Sequence, residues 1–182
     1  SNSGTLNLAH ATVANNTSGP PALSGPNVYP VTGGIYNTGT VNVRNSLFAN
    51  NVDLGGVPGD CMGTINSLGY NVFEAPQGCT IAGDLTGNVT GVDAPLDLLG
   101  DNGGETLTHA LQAGNPAIAG ADPANCPQTD QRGEPRPQGD GCDSGSFESA
   151  LPRTDVAPPT AAAAPPSTAT PPPTPPATPP PP

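Results

Sequence analysis

Ser3-Gly4-Thr5-Leu6-Asn7-Leu8-Ala9-His10-Ala11-Thr12-Val13-Ala14-Asn15-Asn16 recurs, thirty-five positions on, as Thr38-Gly39-Thr40-Val41-Asn42-Val43-Arg44-Asn45-Ser46-Leu47-Phe48-Ala49-Asn50-Asn51, with six identities. A weaker third copy, Gly63-Thr64-Ile65-Asn66-Ser67-Leu68 through Asn71-Val72-Phe73, begins twenty-four positions after the second. Repeats at this spacing are the signature of a solenoid, in which each unit buries its apolar face against the next. Inside each copy Leu6 and Leu8, or Val41 and Val43, alternate with Thr or Asn, the two-residue rhythm of a strand with one buried face. A second short apolar group follows, Val13 in one copy and Leu47-Phe48 in the next. Two short strands per turn of about 24 residues, entered by glycine and left by Asn-Asn, describe a coil of a parallel β-helix. Stacked coils set equivalent asparagines one above another, Asn16 and Asn51 first among them, to bond in ladders or to serve as exposed turn residues.

The extra length of the first coil falls in Ser18 to Pro30, whose four prolines exclude a central strand and predict a loop thrown out of the stack. Asn15, Asn16 and Asn88 match the N-x-[ST] pattern, a weak signal in a chain this rich in Asn and Thr. Aromatic residues make up 3% of the chain and tryptophan is absent, so the core must be thin and aliphatic. All fifteen acids lie between Asp53 and Asp155, lysine is absent, and the net charge is −11. Nucleic acid and anionic membranes are thereby disfavoured as partners, since both require a basic footprint. No apolar run approaches the roughly 20 residues that span a bilayer.

Four cysteines, Cys61, Cys79, Cys126 and Cys142, allow three pairings. Local spacing favours Cys61–Cys79 and Cys126–Cys142, each closing a loop worth about 3 kcal/mol in the chain-entropy account. A zinc site is disfavoured, because there is no C-x-x-C pair and His10 and His109 are not at ligand spacing from any cysteine. Disulfides imply an oxidising, extracytoplasmic setting.

After Cys79 the strand rhythm continues through Thr80 to Val89. Asp93 to Leu99 reads as a turn leading into a short buried segment, and Gly100 to Glu105 as a tight turn. Thr106 to Leu111 then reads as a strand with Leu107, His109 and Leu111 on one face, the histidine structural rather than a ligand.

The series Leu68-Gly69-Tyr70-Asn71, Asp84-Leu85, Asp101 to Leu111, Gly114 to Ile118, Asp130-Gln131-Arg132-Gly133 through Arg136-Pro137, and Cys142-Asp143 to Phe147-Glu148 resembles the choice-of-anchor Q domain over residues 39 to 148. That resemblance implies a bacterial secreted or surface protein with a right-handed, single-stranded parallel β-helix, related in shape to pectate lyases. The chain departs from the family pattern at Ala119, where an aspartate is customary, and at Ser144 and Ser146.

The expectation is one all-β domain over residues 1–150, closed by a disulfide-stapled cap at about 122–148, and a linker over 151–182. In the cap Arg132 and Arg136 are expected to pair with two of Asp130, Asp143 and Glu148, and Phe147 to plug the apolar floor of the last coil, whose open edge would otherwise recruit other chains. An anion or sugar-acid site on the two arginines is the rival reading. From Val156 to Pro182 thirteen of 27 residues are proline, the composition of an extended polyproline stalk. No catalytic, metal or cofactor set is expected, since the first coils hold no acid before Asp53 and no catalytic motif occurs. These features describe a monomeric, exported module for display, adhesion or envelope architecture, with surface glycans or envelope proteins as partners and no membrane insertion. The alternative is a carbohydrate-active or glycan-binding β-helix, a lyase or hydrolase with catalytic coils upstream.

Overall fold

The computed structural model describes residues 1–18 and 32–154. The looped-out segment read at 18–30, Ser18 apart, and the proline stalk from Val156 lie outside the described residues. Among the described residues nine strands occur in chain order: β1 (Thr5–Ala9), β2 (Thr12–Ala14), β3 (Ile35–Tyr36), β4 (Thr40–Arg44), β5 (Leu47–Ala49), β6 (Cys61–Leu68), β7 (Val72–Phe73), β8 (Cys79–Asp84) and β9 (Val89–Thr90). One 3-10 turn, Pro123–Asn125, completes the set.

The chain alternates between two parallel sheets. In the first, β1 pairs with β4, β4 with β6 and β6 with β8, while the short β3 joins the start of β6. In the second, the order is β2-β5-β7-β9. Each pass from one sheet to the other is one coil of an all-β, β-helix-like winding. The repeat fixes its register: Thr5 pairs with Thr40 and Thr12 with Leu47 at the thirty-five-residue offset, then Asn42 with Asn66 and Phe48 with Phe73. Coils shorten along the stack, and Ile65 pairs with Ile81 only sixteen positions on.

Between the sheets Val41, Val43, Phe48, Ile65 and Phe73 form a buried core, joined by Leu6, Leu8, Ile35 and Ile81. The Phe48 and Phe73 rings stack at 4.7 Å. Asparagines at equivalent positions bond from coil to coil along the stack, Asn71 with Asn88 among them. Asn42 Nδ2 donates to Asn7 Oδ1 at 2.7 Å and Asn66 Nδ2 to Asn42 Oδ1 at 2.8 Å. Asn2 bonds to Asn37 at 2.9 Å, and Asn16 to Asn51 at 2.9 Å. Asn51 is fully buried and donates in turn to Val13 O and Asp60 Oδ1, so it knits two coils and an acid together.

β5 is buried along its whole length, because Leu47-Phe48-Ala49 is apolar on both faces. Phe48 faces the interior; Leu47 and Ala49 face outward with Val72. Residues 92–151 cover that outer face with Ala94, Leu111, Ala117 and Ile118, against which Phe147 and Leu151 pack. This corrects the expectation of a cap over the open end. The segment lies along the side of the stack, because the second sheet's outer face is apolar and needs cover. Phe147 belongs to that lateral layer. At the stack's two ends Leu6, Leu8 and Ile81 remain part-exposed.

The strand expected over Thr106 to Leu111 is also corrected. Only two antiparallel bridges form, Gly100 with Thr108 and Leu96 with Leu111. Thr108 is buried and Leu107 is 54% exposed, so the buried side is not the apolar alternation read from the sequence. The buried segment expected after Asp93 is likewise incomplete, since Leu98 is 88% exposed.

Candidate functional site

The densest cluster of charge is the strap formed by residues 122–148. Its first turn is organised by Asp130, whose carboxylate accepts four bonds: from the Arg132 and Glu134 amides through Oδ1, and from Arg132 Nε and the Glu148 amide through Oδ2, at 2.8 to 3.1 Å. Burial alone would raise its pKa, but the Glu148 amide and Arg132 outweigh burial and hold the carboxyl below its ordinary range. Arg132 closes an ion pair with Asp130 at 2.7 Å and lays its guanidinium 3.6 Å from the Phe147 ring centroid, a cation–π contact.

Arg136 is buried. Its Nη1 donates to Asp143 O at 2.6 Å and to Glu148 Oε2 at 3.0 Å, and Nη2 donates to Gly145 O at 2.7 Å. Glu148 also accepts from the Gln138 and Asp143 amides. Asp143, fully buried, pairs with neither arginine side chain among the ion pairs of the described residues; it accepts from the Ala119 and Ser149 amides at 2.7 and 2.6 Å. Burial, with the Glu148 charge adding to it, pushes the Asp143 carboxyl up to about 7 against the pull of those amides and of Arg136.

The strap reaches three successive coils at one corner. There His10, Asn45 and Tyr70 occupy equivalent positions, all in the left-handed region with φ of 49°, 47° and 59°. Ser146 N donates to Thr12 Oγ1 in the first coil, Gly145 N to Asn45 O in the second, and Ser144 Oγ to Tyr70 O in the third, each at 2.8 to 2.9 Å. Partners in three stacked coils are reached only from the side. Asp122 N adds a bond to Asn45 Oδ1, and the Asn125 carbonyl and side chain meet His10 Nε2 at 2.8 Å and Arg44 Nη1 at 2.6 Å. Gly145 has φ of 96°, and a Cβ there would lie 2.7 Å from Thr12 Oγ1 and 3.2 Å from Leu47 Cβ, so glycine is required at the closest approach.

Cys61 is bonded to Cys79 and Cys126 to Cys142, with Cα separations of 5.4 and 6.0 Å. The first bridge ties β6 to β8 and the second ties the 3-10 turn to the Arg136–Glu148 pair. Two disulfides accord with an oxidising, extracellular environment. Among the described residues no helix is long and apolar enough to cross a membrane. The nine residues singled out in the sequence thus divide between one coil-to-coil staple and one strap. His10, Thr12, Asn45, Asp122 and Asn125 were not singled out, although they anchor that strap. The shared repeat position of His10 and Asn45 was the available signal.

A groove separates the strap from the outer side of the first coil. One cavity of about 440 Å³ is lined by His10, Thr12, Thr129, Gln131, Arg136 and Ser146, among others. A second, of about 260 Å³, shares Thr12, Gln131 and Ser146 and continues to Asn16 and His109. His109 Nδ1 donates to the Asp97 carbonyl at 2.8 Å. No protein-family model, curated protein or solved structure matches the chain.

Proposed function

We propose that the chain is an exported, non-enzymatic β-helix module of the cell surface, serving display, adhesion or envelope architecture. On this reading the winding is a right-handed, single-stranded parallel β-helix akin to the choice-of-anchor Q domain, and the proline-rich segment after it is a stalk. The observation that carries the reading is the employment of the buried acids. Asp60 accepts from Asn51 Nδ2 and the Ala75 amide, Asp143 from two amides, Asp130 from four donors and Glu148 from three. Carboxylates committed in this way hold backbone together. A general acid or base needs reach to a reacting atom as well.

The test is incubation of the full chain with uronic-acid polysaccharides, with and without calcium. No unsaturated or shortened product is expected. Accumulation of unsaturated product, abolished in a variant of one of its own acids, would sink the non-enzymatic reading in favour of a lyase. The polar groove beside the first coil favours a second role, glycan binding, that is compatible with display.

A further inference from the structure

The arm formed by residues 97–109 is built inside out. Its two limbs are joined by the bonds that the Gly100 and Thr108 backbones exchange, at 3.1 and 3.0 Å, and by Asn102 Nδ2, which donates to Thr108 O at 2.9 Å. Thr108 is 3% exposed and Asn102 and His109 are half-buried, whereas Leu98, Leu99 and Leu107 are 88, 56 and 54% exposed. Polar groups have been taken inward and leucines left in water, the reverse of what stabilises a fold. Three of the seven large apolar side chains exposed among the described residues lie between positions 98 and 107. A scattered exposed leucine needs no explanation, but a concentration of them marks an interaction surface.

The strap fixes this placement. Gln131 Nε2 donates to Thr106 Oγ1 at 2.8 Å and Arg132 Nη1 to Asn102 O at 3.3 Å. Gly104, with φ of 82°, sits so close to the strap that a Cβ there would come 2.6 Å from Arg132 Cα. The arm is thus held through its turn and its polar groups, and none of these bonds employs a leucine.

Charge says what covers the leucines. Asp97, Asp101 and Glu105, all exposed, are interleaved with them, and no lysine or arginine occurs between Arg44 and Arg132. Neither ion pair among the described residues involves these acids, and Arg132, which touches the arm, already has its charge met by Asp130 at 2.7 Å. A surface that is apolar and acidic at once selects a partner that is apolar and basic. A second copy would bring the same acids and a net charge of −11. A lipid bilayer would have to strip water from the three interleaved acids.

We infer that the arm is the docking surface for a polypeptide segment that carries leucine-like side chains beside lysine or arginine, burying Leu98, Leu99 and Leu107 and pairing with Asp97, Asp101 and Glu105. The inference deepens the adhesion reading by naming a class of partner, and it rests on that reading only for the setting in which the partner is met.

The test is an NMR titration of the isotope-labelled full chain with three octapeptides, of alternating leucine and lysine, leucine and glutamate, and serine and lysine, beside phosphatidylcholine vesicles. The leucine–lysine peptide is expected to give saturable shifts at the Leu98, Leu99 and Leu107 amides. It is expected to bind about tenfold tighter than either other peptide, since each of those lacks one half of the match. Leu98→Ser combined with Leu107→Ser, both at exposed positions, is expected to weaken it about tenfold, and so is Asp101→Asn combined with Glu105→Gln. Leu85→Ser, at an exposed leucine outside the arm, is expected to leave it unchanged. Silence of the arm toward the leucine–lysine peptide would overturn the inference. Equal binding of the serine–lysine peptide, affinity indifferent to both arm variants, or tighter attachment to the vesicles would overturn it as well. None of these results bears on the committed carboxylates, which the product assay reads separately.

Discussion

Single residues hold this molecule together by satisfying backbone where coils meet. Asn51 is the clearest case, since it bonds to Asn16, to the Val13 carbonyl and to the buried Asp60 at once. Asn51→Ala is expected to cost about 3 kcal/mol in urea unfolding, because it strands a buried carboxylate as well as removing bonds. Asn42→Ala, in the part-exposed ladder, is expected to cost only about 1 kcal/mol. Asp143 adds a dependence on pH. Its folded pKa of about 7 lies above the unfolded value near 3.9, so its contribution is complete below pH ~4 and is lost as pH rises through ~7. Arg136 and Glu148 face it directly, His10 and Asp130 flank the same strap, and His10, with its lowered pKa, contributes in the opposite sense below pH ~6.5. The thermal midpoint of the native chain minus that of Asp143→Asn is therefore expected to fall between pH 5 and 8. A difference that stays flat, or rises, would show that Asp143 is ionised in the folded chain throughout. The Asn pairs at 16/51 and the alternating Val41 and Val43 were legible because they repeat. The left-handed corner at His10, Asn45 and Tyr70 was not, since three different residue types share it.

At the scale of elements, β1, β4 and β6 were legible for the same reason: their apolar alternation recurs, and register follows from recurrence. β3 was not, being two residues long, and the bridges at 96–111 were misread as a strand because Leu107 fits the alternation yet is solvent-exposed. Local periodicity fails where a segment is held by side-chain and disulfide contacts in place of a ladder. The strap is such a segment, with the Cys126–Cys142 bridge and the buried Arg136–Glu148 pair as its frame. Replacing both of its cysteines by serine is expected to lower stability by about 3 kcal/mol. Hydrogen exchange in that variant should accelerate first in residues 117–149, with β4 and β5 still protected. Arg136→Ala is expected to cost about 3 to 5 kcal/mol, since it leaves Glu148 buried and unpaired. Arg132→Ala should cost less, because the Asp130 carboxylate keeps its backbone donors.

Across the described residues the molecule is a stack of shortening coils, and the apolar outer face of its second sheet is closed by residues 92–151. That arrangement explains why the acids fall late in the sequence: most of them belong to turns and to the strap, while the first two coils need only small, aliphatic and amide side chains. It also explains why the strap's position escaped sequence reading. The bond from Ser146 to Thr12 spans 134 positions, and no spacing rule connects them. The winding and the two disulfide loops were legible, whereas the direction in which the strap folds back depends on Leu47 and Ala49 facing outward, which emerges only when β5 is placed between β2 and β7. The most direct test is a nuclear Overhauser measurement on the full chain at the strap's three coil contacts. Cross-peaks are expected from the Ser146 amide to Thr12, from the Gly145 amide to Asn45 and Leu47, and from Ser144 to Tyr70. Cross-peaks from those strap residues to Ile81 and Leu85 in their place would put the segment across the end of the stack and contradict the lateral clasp.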